Sequence, residues 1–209
     1  MNHFSSAAYW DGRYRRGGNS GSGSYGRLAA FKADFINAFM ADNQVAEVID
    51  LGCGDGNLLS LLRIDAYTGV DVSDTVLDGL RRRFPDRCFV PFDAIADLPA
   101  ADLALSIDVI FHLVEDGVFA GYMHQLFAHA RRFVLIYASN FDLPWAAPHV
   151  RHRRFSDHVA AAFPDWRLVA HAPNRYPFDP ARPDETSFAD FFVYARSGCR
   201  VHLSDLPAP

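Results

Sequence analysis

Cysteine is scarce in this 209-residue chain, and the few that occur are not grouped. Cys53, Cys88 and Cys199 are odd in number, far apart and outside any CxxC or HxxxH pattern. That argues against a disulfide framework and against a zinc site. Long apolar runs are missing too: Phe133 to Ala138 covers six residues, against the roughly 18 that a membrane span requires. Met1 to Ser6 contains no basic stretch leading into an apolar one, so nothing there directs secretion. A cytoplasmic protein with no membrane partner is expected. Positive charge is not in excess either, with 20 Lys and Arg against 25 Asp and Glu and a formal net charge of −5. There is no global field for holding nucleic acid, and no nucleic-acid partner is expected. What the chain does have is core material: half of it is hydrophobic and 22% is charged, a composition that folds. At roughly 150 residues per domain, one domain with a small addition is expected.

Composition divides the chain into a glycine-rich lead-in over residues 1–26 and a single domain over 27–209. Between Gly12 and Gly26, glycines mix with serines, tyrosines and arginines, which is loop chemistry. From Arg27, the spacing of Leu28, Phe31, Phe35 and Phe39 predicts a helix of about four turns. Then strand and helix alternate. Strands are expected at Val45 to Leu51, Tyr67 to Val72, Cys88 to Pro91, Leu103 to Ile107 and Phe133 to Tyr137. Helical stretches are expected at Leu58 to Leu62, after Ser73, and from Gly117 to Ala130. This predicts an α/β fold with a mostly parallel sheet covered by helices on both faces, and ligands at the carboxyl ends of the strands. The tail differs: a helix over Phe155 to Phe163 precedes two strands, Trp166 to His171 and Phe188 to Arg196, with no helix between them. An antiparallel edge pair follows from that.

The turn after the first strand reads Asp50-Leu51-Gly52-Cys53-Gly54-Asp55-Gly56. Glycines there let a ligand approach the backbone closely. A dinucleotide fold wants a third glycine where this chain has Asn57. Asp50 would repel a pyrophosphate but suits an ammonium or a sulfonium. Asp71 ends the second strand about 20 residues on, where a carboxylate can accept from both ribose hydroxyls. Asp93, after the third strand, can accept from an adenine amino group.

These residues resemble the class I S-adenosylmethionine-dependent methyltransferases over roughly residues 26–196. Val48 to Gly56 looks like that family's first motif, Gly69 to Ser73 like its second, Phe92-Asp93-Ala94 like its third and Leu103 to Asp108 like its fourth. The resemblance implies a Rossmann-like seven-stranded sheet with an antiparallel last strand, and S-adenosylmethionine as cofactor. It also implies a cofactor site made of Asp50, Gly52, Cys53, Gly54, Asp71, Val72, Asp93, Ala94 and Ser106. In this family, metal-using O-methyltransferases carry an Asp-Asn pair after the fifth strand, where this chain has Ser139-Asn140, so no metal is expected. A nicotinamide-dependent oxidoreductase, a protein or nucleic-acid methyltransferase and a noncatalytic binder are the alternative readings.

For the reaction itself, His112 and Asp108 follow the fourth strand near where the reactive methyl would face. An imidazole there suits a general base, and Asp108 can orient it or bind a substrate amine. The segment Pro148 to Phe155 gathers three arginines and two histidines. Guanidinium forks match carboxylates and phosphates, so His149, Arg151 and Arg153 point to a small anionic acceptor such as a sugar or a natural-product intermediate. Tyr14 and Tyr25 in the lead-in are placed to form a lid over that acceptor. The expected activity is methyl transfer to a hydroxyl, carboxyl or amine, by a monomer or homodimer.

Overall fold

The computed structural model describes residues 4–203. Residues 1–3 and 204–209, the two ends of the expected lead-in and domain, lie outside the described residues. Seven strands form one sheet: β1 (Glu47–Leu51), β2 (Ala66–Asp71), β3 (Cys88–Pro91), β4 (Ala101–Ile107), β5 (Ala130–Ala138), β6 (Trp166–Ala172) and β7 (Asp190–Arg196). Their spatial order is β3-β2-β1-β4-β5-β7-β6. The pairs from β3 through β5 are parallel. β7 runs antiparallel to both β5 and β6, so it alone is reversed.

Central strands read as unbroken apolar runs because both faces are covered. In β4, Leu103, Ala104 and Leu105 have no exposure at all. Chain order reverses between β1 and β4, since β1 pairs with β2 on one side and β4 on the other. A crevice at the carboxyl ends of these two strands is therefore the expected ligand position.

Among the described residues, five α-helices accompany the sheet: α1 (Ser6–Arg15), α2 (Gly26–Asp42), α3 (Asp74–Arg83), α4 (Asp116–Ala128) and α5 (Phe155–Ala162). α2 presents the face expected from its spacing: Phe35 stacks on Phe191 at 3.9 Å between ring centroids, and Phe39 meets Phe133 edge-on at 5.2 Å. Two local expectations are corrected. The lead-in is not all loop, since Ser6 to Arg15 is helical, opened by Ser5 accepting from the Ala8 N–H. It ends where Gly17 takes φ +78°, a left-handed conformation that glycine adopts freely. The stretch Leu58 to Leu62 forms only a 3₁₀ turn, Leu59–Leu61, rather than an α-helix; five apolar-rich residues are too few to nucleate one. Among the described residues, no helix is long and apolar enough to cross a membrane.

Candidate active site

A cleft opens at the carboxyl ends of β1, β2 and β4, and the glycine turn forms its floor. Gly52 has φ +84°, and a Cβ there would fall 2.5 Å from the Val109 side chain. Gly54 has φ +57°, and its Cβ would fall 2.4 Å from Ser20 Oγ. Neither position admits a side chain, for conformation and space alike. The turn is tied to its neighbours through the backbone, with the N–H groups of Gly52 and Cys53 both donating to the Val70 carbonyl.

Asp71, at the end of β2, receives the Gly54 N–H at 3.0 Å on one oxygen and the Ser73 N–H at 3.1 Å on the other. Burial pushes its carboxyl up to about 6, with those backbone donors opposing the shift. Asp50 is buried within β1 and accepts from the Tyr67 hydroxyl at 2.7 Å. Its other oxygen is buried with no partner, and burial lifts this carboxyl to about 7. An orphaned carboxylate oxygen lining a cleft calls for a donor from a ligand.

Asp108 follows β4 in a left-handed conformation, φ +59°, and its carboxylate pairs with the Lys32 ammonium from α2. His112 ends a 3₁₀ turn, Ile110–His112. Its Nδ1 lies 3.0 Å from the His149 carbonyl oxygen. A carbonyl only accepts, so Nδ1 carries the proton and Nε2 the lone pair. Trp10 packs edge-on against the ring at 4.8 Å. Burial holds this imidazole down to about 4, which keeps it neutral near pH 7.

The lead-in supplies one wall. Ser20 donates its N–H to Asp55 at 2.8 Å and accepts the Asp55 N–H on Oγ at 2.9 Å, while the Tyr14 hydroxyl lies 2.9 Å from the same Oγ. Ser73 donates to Asp11 of α1 at 2.8 Å. Trp10, Tyr14 and Ser20 thereby border the cleft.

Of the cofactor residues expected from sequence, Asp50, Gly52, Cys53, Gly54, Asp71 and Val72 all line this cleft. Asp108, His112 and Tyr14 line it as well. The remaining expectations fall elsewhere. Ser106 is fully buried under the floor, 2.7 Å from the Tyr122 hydroxyl, and Tyr122 is the residue that reaches the cleft. Asp93 is exposed and Ala94 half-buried, both outside the lining, and Phe92 takes the position facing inward. Tyr25 donates to Asp55 at 2.7 Å on the outer side of the turn.

Arg151 and Arg153 also lie outside the cleft. Arg153 donates to the Leu113 carbonyl, to the Val114 carbonyl at 2.7 Å and to Asp116 at 3.0 Å. Arg151 donates to the Val114 carbonyl at 2.9 Å and pairs with Asp116. Their donors go to the backbone carbonyls of Leu113 and Val114 and to Asp116, so the segment staples the start of α4. The His149 ring stacks on Tyr9 at 4.6 Å, and its carbonyl orients His112. Sequence reasoning missed Lys32, Trp10, Phe92 and Tyr122. A lone lysine four residues after Leu28, on an otherwise apolar helix face, was the available signal for the first.

A family model described as a methyltransferase domain matches residues 25–182. The chain is 37% identical over 83 residues to trans-aconitate 2-methyltransferase of Klebsiella pneumoniae (strain 342). That match covers 38% of this chain and 31% of the relative, so it spans less than a third of the curated relative's length. Magnesium protoporphyrin IX methyltransferase (ChlM) from Synechocystis PCC 6803, with bound SAH, is similar in fold. Its TM-score is 0.65 at 14% identity, covering 91% of this chain and 98% of that one. The methyltransferase domain of bacterial CtHen1-C gives 0.61 at 21% identity, covering 80% and 98%. Mitomycin 7-O-methyltransferase MmcR gives 0.57 at 16% identity, covering 81% of this chain and 55% of that one.

Proposed function

The chain belongs to the methyltransferase-domain family, and from that premise we propose that it is an S-adenosylmethionine-dependent methyltransferase acting on a small polar acceptor. The observation that carries this reading is one cleft that joins the side-chain-free turn at Gly52 and Gly54, the buried carboxylates Asp50 and Asp71, and a neutral His112. The donor set fits the cofactor: Asp50 has an unpartnered oxygen for a cationic group, and Gly52 and Gly54 present side-chain-free backbone to the same cleft. When bound, the cofactor supplies an electrophilic methyl on a sulfonium centre.

The residues of the chain do the rest. Asp71, held by two backbone donors, keeps a lone pair on each oxygen for the ribose hydroxyls. Val72 and Phe92, which line the same cleft, would hold the adenine of the bound cofactor. His112 Nε2 takes the proton of a hydroxyl or a protonated amine as the acceptor oxygen or nitrogen attacks, and a carboxylate acceptor needs no base. In-line displacement draws most of its rate from alignment, which Trp10, Leu113 and Val118 provide by walling the cleft around His112. The lead-in acts as a lid that keeps water out.

An anionic acceptor agrees with the name of the trans-aconitate relative. It draws no support from Arg151 and Arg153, whose donors are occupied outside the cleft. We therefore keep the acceptor as a hydroxyl, carboxyl or amine on a small polar molecule. Calorimetric titration with S-adenosylmethionine, S-adenosylhomocysteine and NADH tests the cofactor. Micromolar binding of the first two alone is expected, and binding of NADH alone overturns the reading.

A further inference from the structure

Helix α1 carries Ser6, Tyr9 and Trp10 at the i, i+3 and i+4 spacing that sets side chains on one face. Each of them reaches the surroundings of His112. Ser6 accepts the Val114 N–H at 3.1 Å and gives its own N–H to Glu115 at 2.9 Å, so it grips the chain just past His112. Trp10 meets the imidazole edge-on. Tyr9 does not line the cleft. It stacks on the His149 ring at 4.6 Å and 10°, and that ring lies 5.6 Å from the His112 ring at 16°. Rings from α1, from the loop after β5 and from the turn after β4 thus form one near-parallel column. Among the described residues the His149 ring has no hydrogen-bond partner, so stacking is what places it. The Arg151 N–H on the Phe111 carbonyl, at 2.7 Å, ties the same loop slightly further on. What remains for Tyr9 to control is the ring and peptide of His149.

Core packing is a poor account of Tyr9. Of the 10 residues of α1 only Ser6 and Tyr14 are buried, and Tyr9 is half-buried. A helix of this length is marginal in water by itself. Its docking contacts instead lie at the two sides of the cleft mouth, Ser6 at Glu115 before α4 and Asp11 at Ser73 before α3. We infer that Tyr9 is a positioning residue for His112: through the His149 ring it holds the His149 carbonyl where that oxygen accepts the Nδ1–H, and so keeps the lone pair on Nε2. The inference rests on the reading of His112 as the base and adds a residue, outside the cleft, that fixes its tautomer. Docking of α1 also shields the imidazole. The charged and titratable groups facing it are His149 from the loop, Asp108 from the end of β4 and Arg13 from α1 itself, and burial outweighs the opposing pull of Asp108. Loosening α1 lets in water and withdraws the Arg13 charge, and both changes raise the imidazole from about 4 toward the ordinary 6.5.

The test is a nitrogen NMR titration of the histidine rings in the full chain, with no cofactor or acceptor present. The His112 signals are identified by their absence from His112→Gln. In the wild type, His112 is expected to carry its proton on Nδ1 and to stay neutral down to about pH 5. Tyr9→Ala should mix the two tautomers and raise the midpoint by about one unit or more, and Tyr9→Phe, which keeps the ring, should restore the wild-type behaviour on both counts. A purely structural role would lower the urea midpoint of Tyr9→Ala and leave the His112 signals where they were; that result overturns the proposal. A wild-type His112 with its proton on Nε2 overturns it as well. If Tyr9→Ala does not fold, Tyr9→Leu, which fills the space without a ring, is read by the same criteria. With any hydroxyl or amine acceptor that turns over, kcat of the Tyr9→Ala protein should fall roughly 10- to 100-fold with the KM for S-adenosylmethionine unchanged. A raised KM at unchanged kcat would put Tyr9 in cofactor binding and overturn the assignment. Undiminished turnover by His112→Gln is a different failure: it removes the base reading, and with it the purpose of the stack, whatever the spectrum shows.

Discussion

The glycine-rich lead-in and the basic segment after β5 are the two stretches of unusual composition, and the fold uses them in opposite ways. The lead-in, which reads as loop, forms α1 and a turn that put Trp10, Tyr14 and Ser20 into the cleft wall. The basic segment, which reads as a binding surface, has none of its arginines at that cleft. Its guanidinium groups instead satisfy the carbonyls of Leu113 and Val114. Backbone acceptors at an irregular turn must find donors somewhere, and arginine, with five N–H groups in a fixed fork, is well suited to supply them. An arginine cluster near a site is thus claimed first by the nearest unpaired carbonyls, whereas small residues around a glycine turn allow a close fit.

If that contrast is right, substitutions around the cleft change binding and turnover, and substitutions of the arginines in the basic segment change stability alone. The largest effect is expected from His112→Gln, which removes the proposed base. With any hydroxyl or amine acceptor that turns over, kcat should fall by about 10²- to 10⁴-fold with cofactor affinity unchanged. An unaltered kcat would reduce His112 to a packing residue. Asp71→Ala comes next, with cofactor affinity in a calorimetric titration expected to weaken roughly 10- to 150-fold. Undiminished binding would remove the ribose assignment.

On the other side of the comparison, Arg153→Ala deletes three hydrogen bonds and should cost about 1–3 kcal/mol in urea unfolding. Cofactor affinity should not move; a matched loss of affinity would put the segment back into the site. Arg151→Ala should do less in the same assay, because the Arg151 side chain is itself 46% exposed, against 11% for Arg153.

The subtlest test is pH. Asp50 and Asp71 titrate at about 7 and 6 in the folded chain, above the roughly 3.9 of an unfolded aspartate. Stability from keeping them protonated is full below about pH 4 and is lost as pH rises through 6 to 7. His112 has the opposite sign: depressed to about 4, it contributes stability above about 6.5 that is lost as pH falls toward 4. Asp50→Asn should therefore flatten the decline in unfolding midpoint between about pH 4 and 7. A decline as steep as in the wild type would mean that Asp50 ionises freely.

Much of this was legible in the chain. Alternating apolar runs and turns mark the strands and most of the helices, because a parallel strand buried on both faces needs continuous Val, Ile and Leu. Gly52, Gly54, Asp50 and Asp71 could be named because they are tied to a turn whose geometry restricts residue choice at each position. Asp93 and Arg151 were misjudged for different reasons. Asp93 lies just past the end of β3, where a side chain can turn either toward the crevice or away from it and one residue of rotation decides, whereas Arg151 sits in the long loop between β5 and α5 and is drawn to the Val114 carbonyl and Asp116. Phe92, adjacent to Asp93, took the inward position.

By itself, then, the sequence determined the order of elements, the glycine turn and the acidic strand ends, since each of these is a local matter of periodicity, backbone freedom or spacing. Only the tertiary structure decided that Lys32 meets Asp108 from 76 residues away, that the His149 carbonyl sets the tautomer of His112, and that α1 closes onto the turn. Those contacts join segments far apart along the chain, and which of many polar groups become partners depends on the packing of the sheet between them.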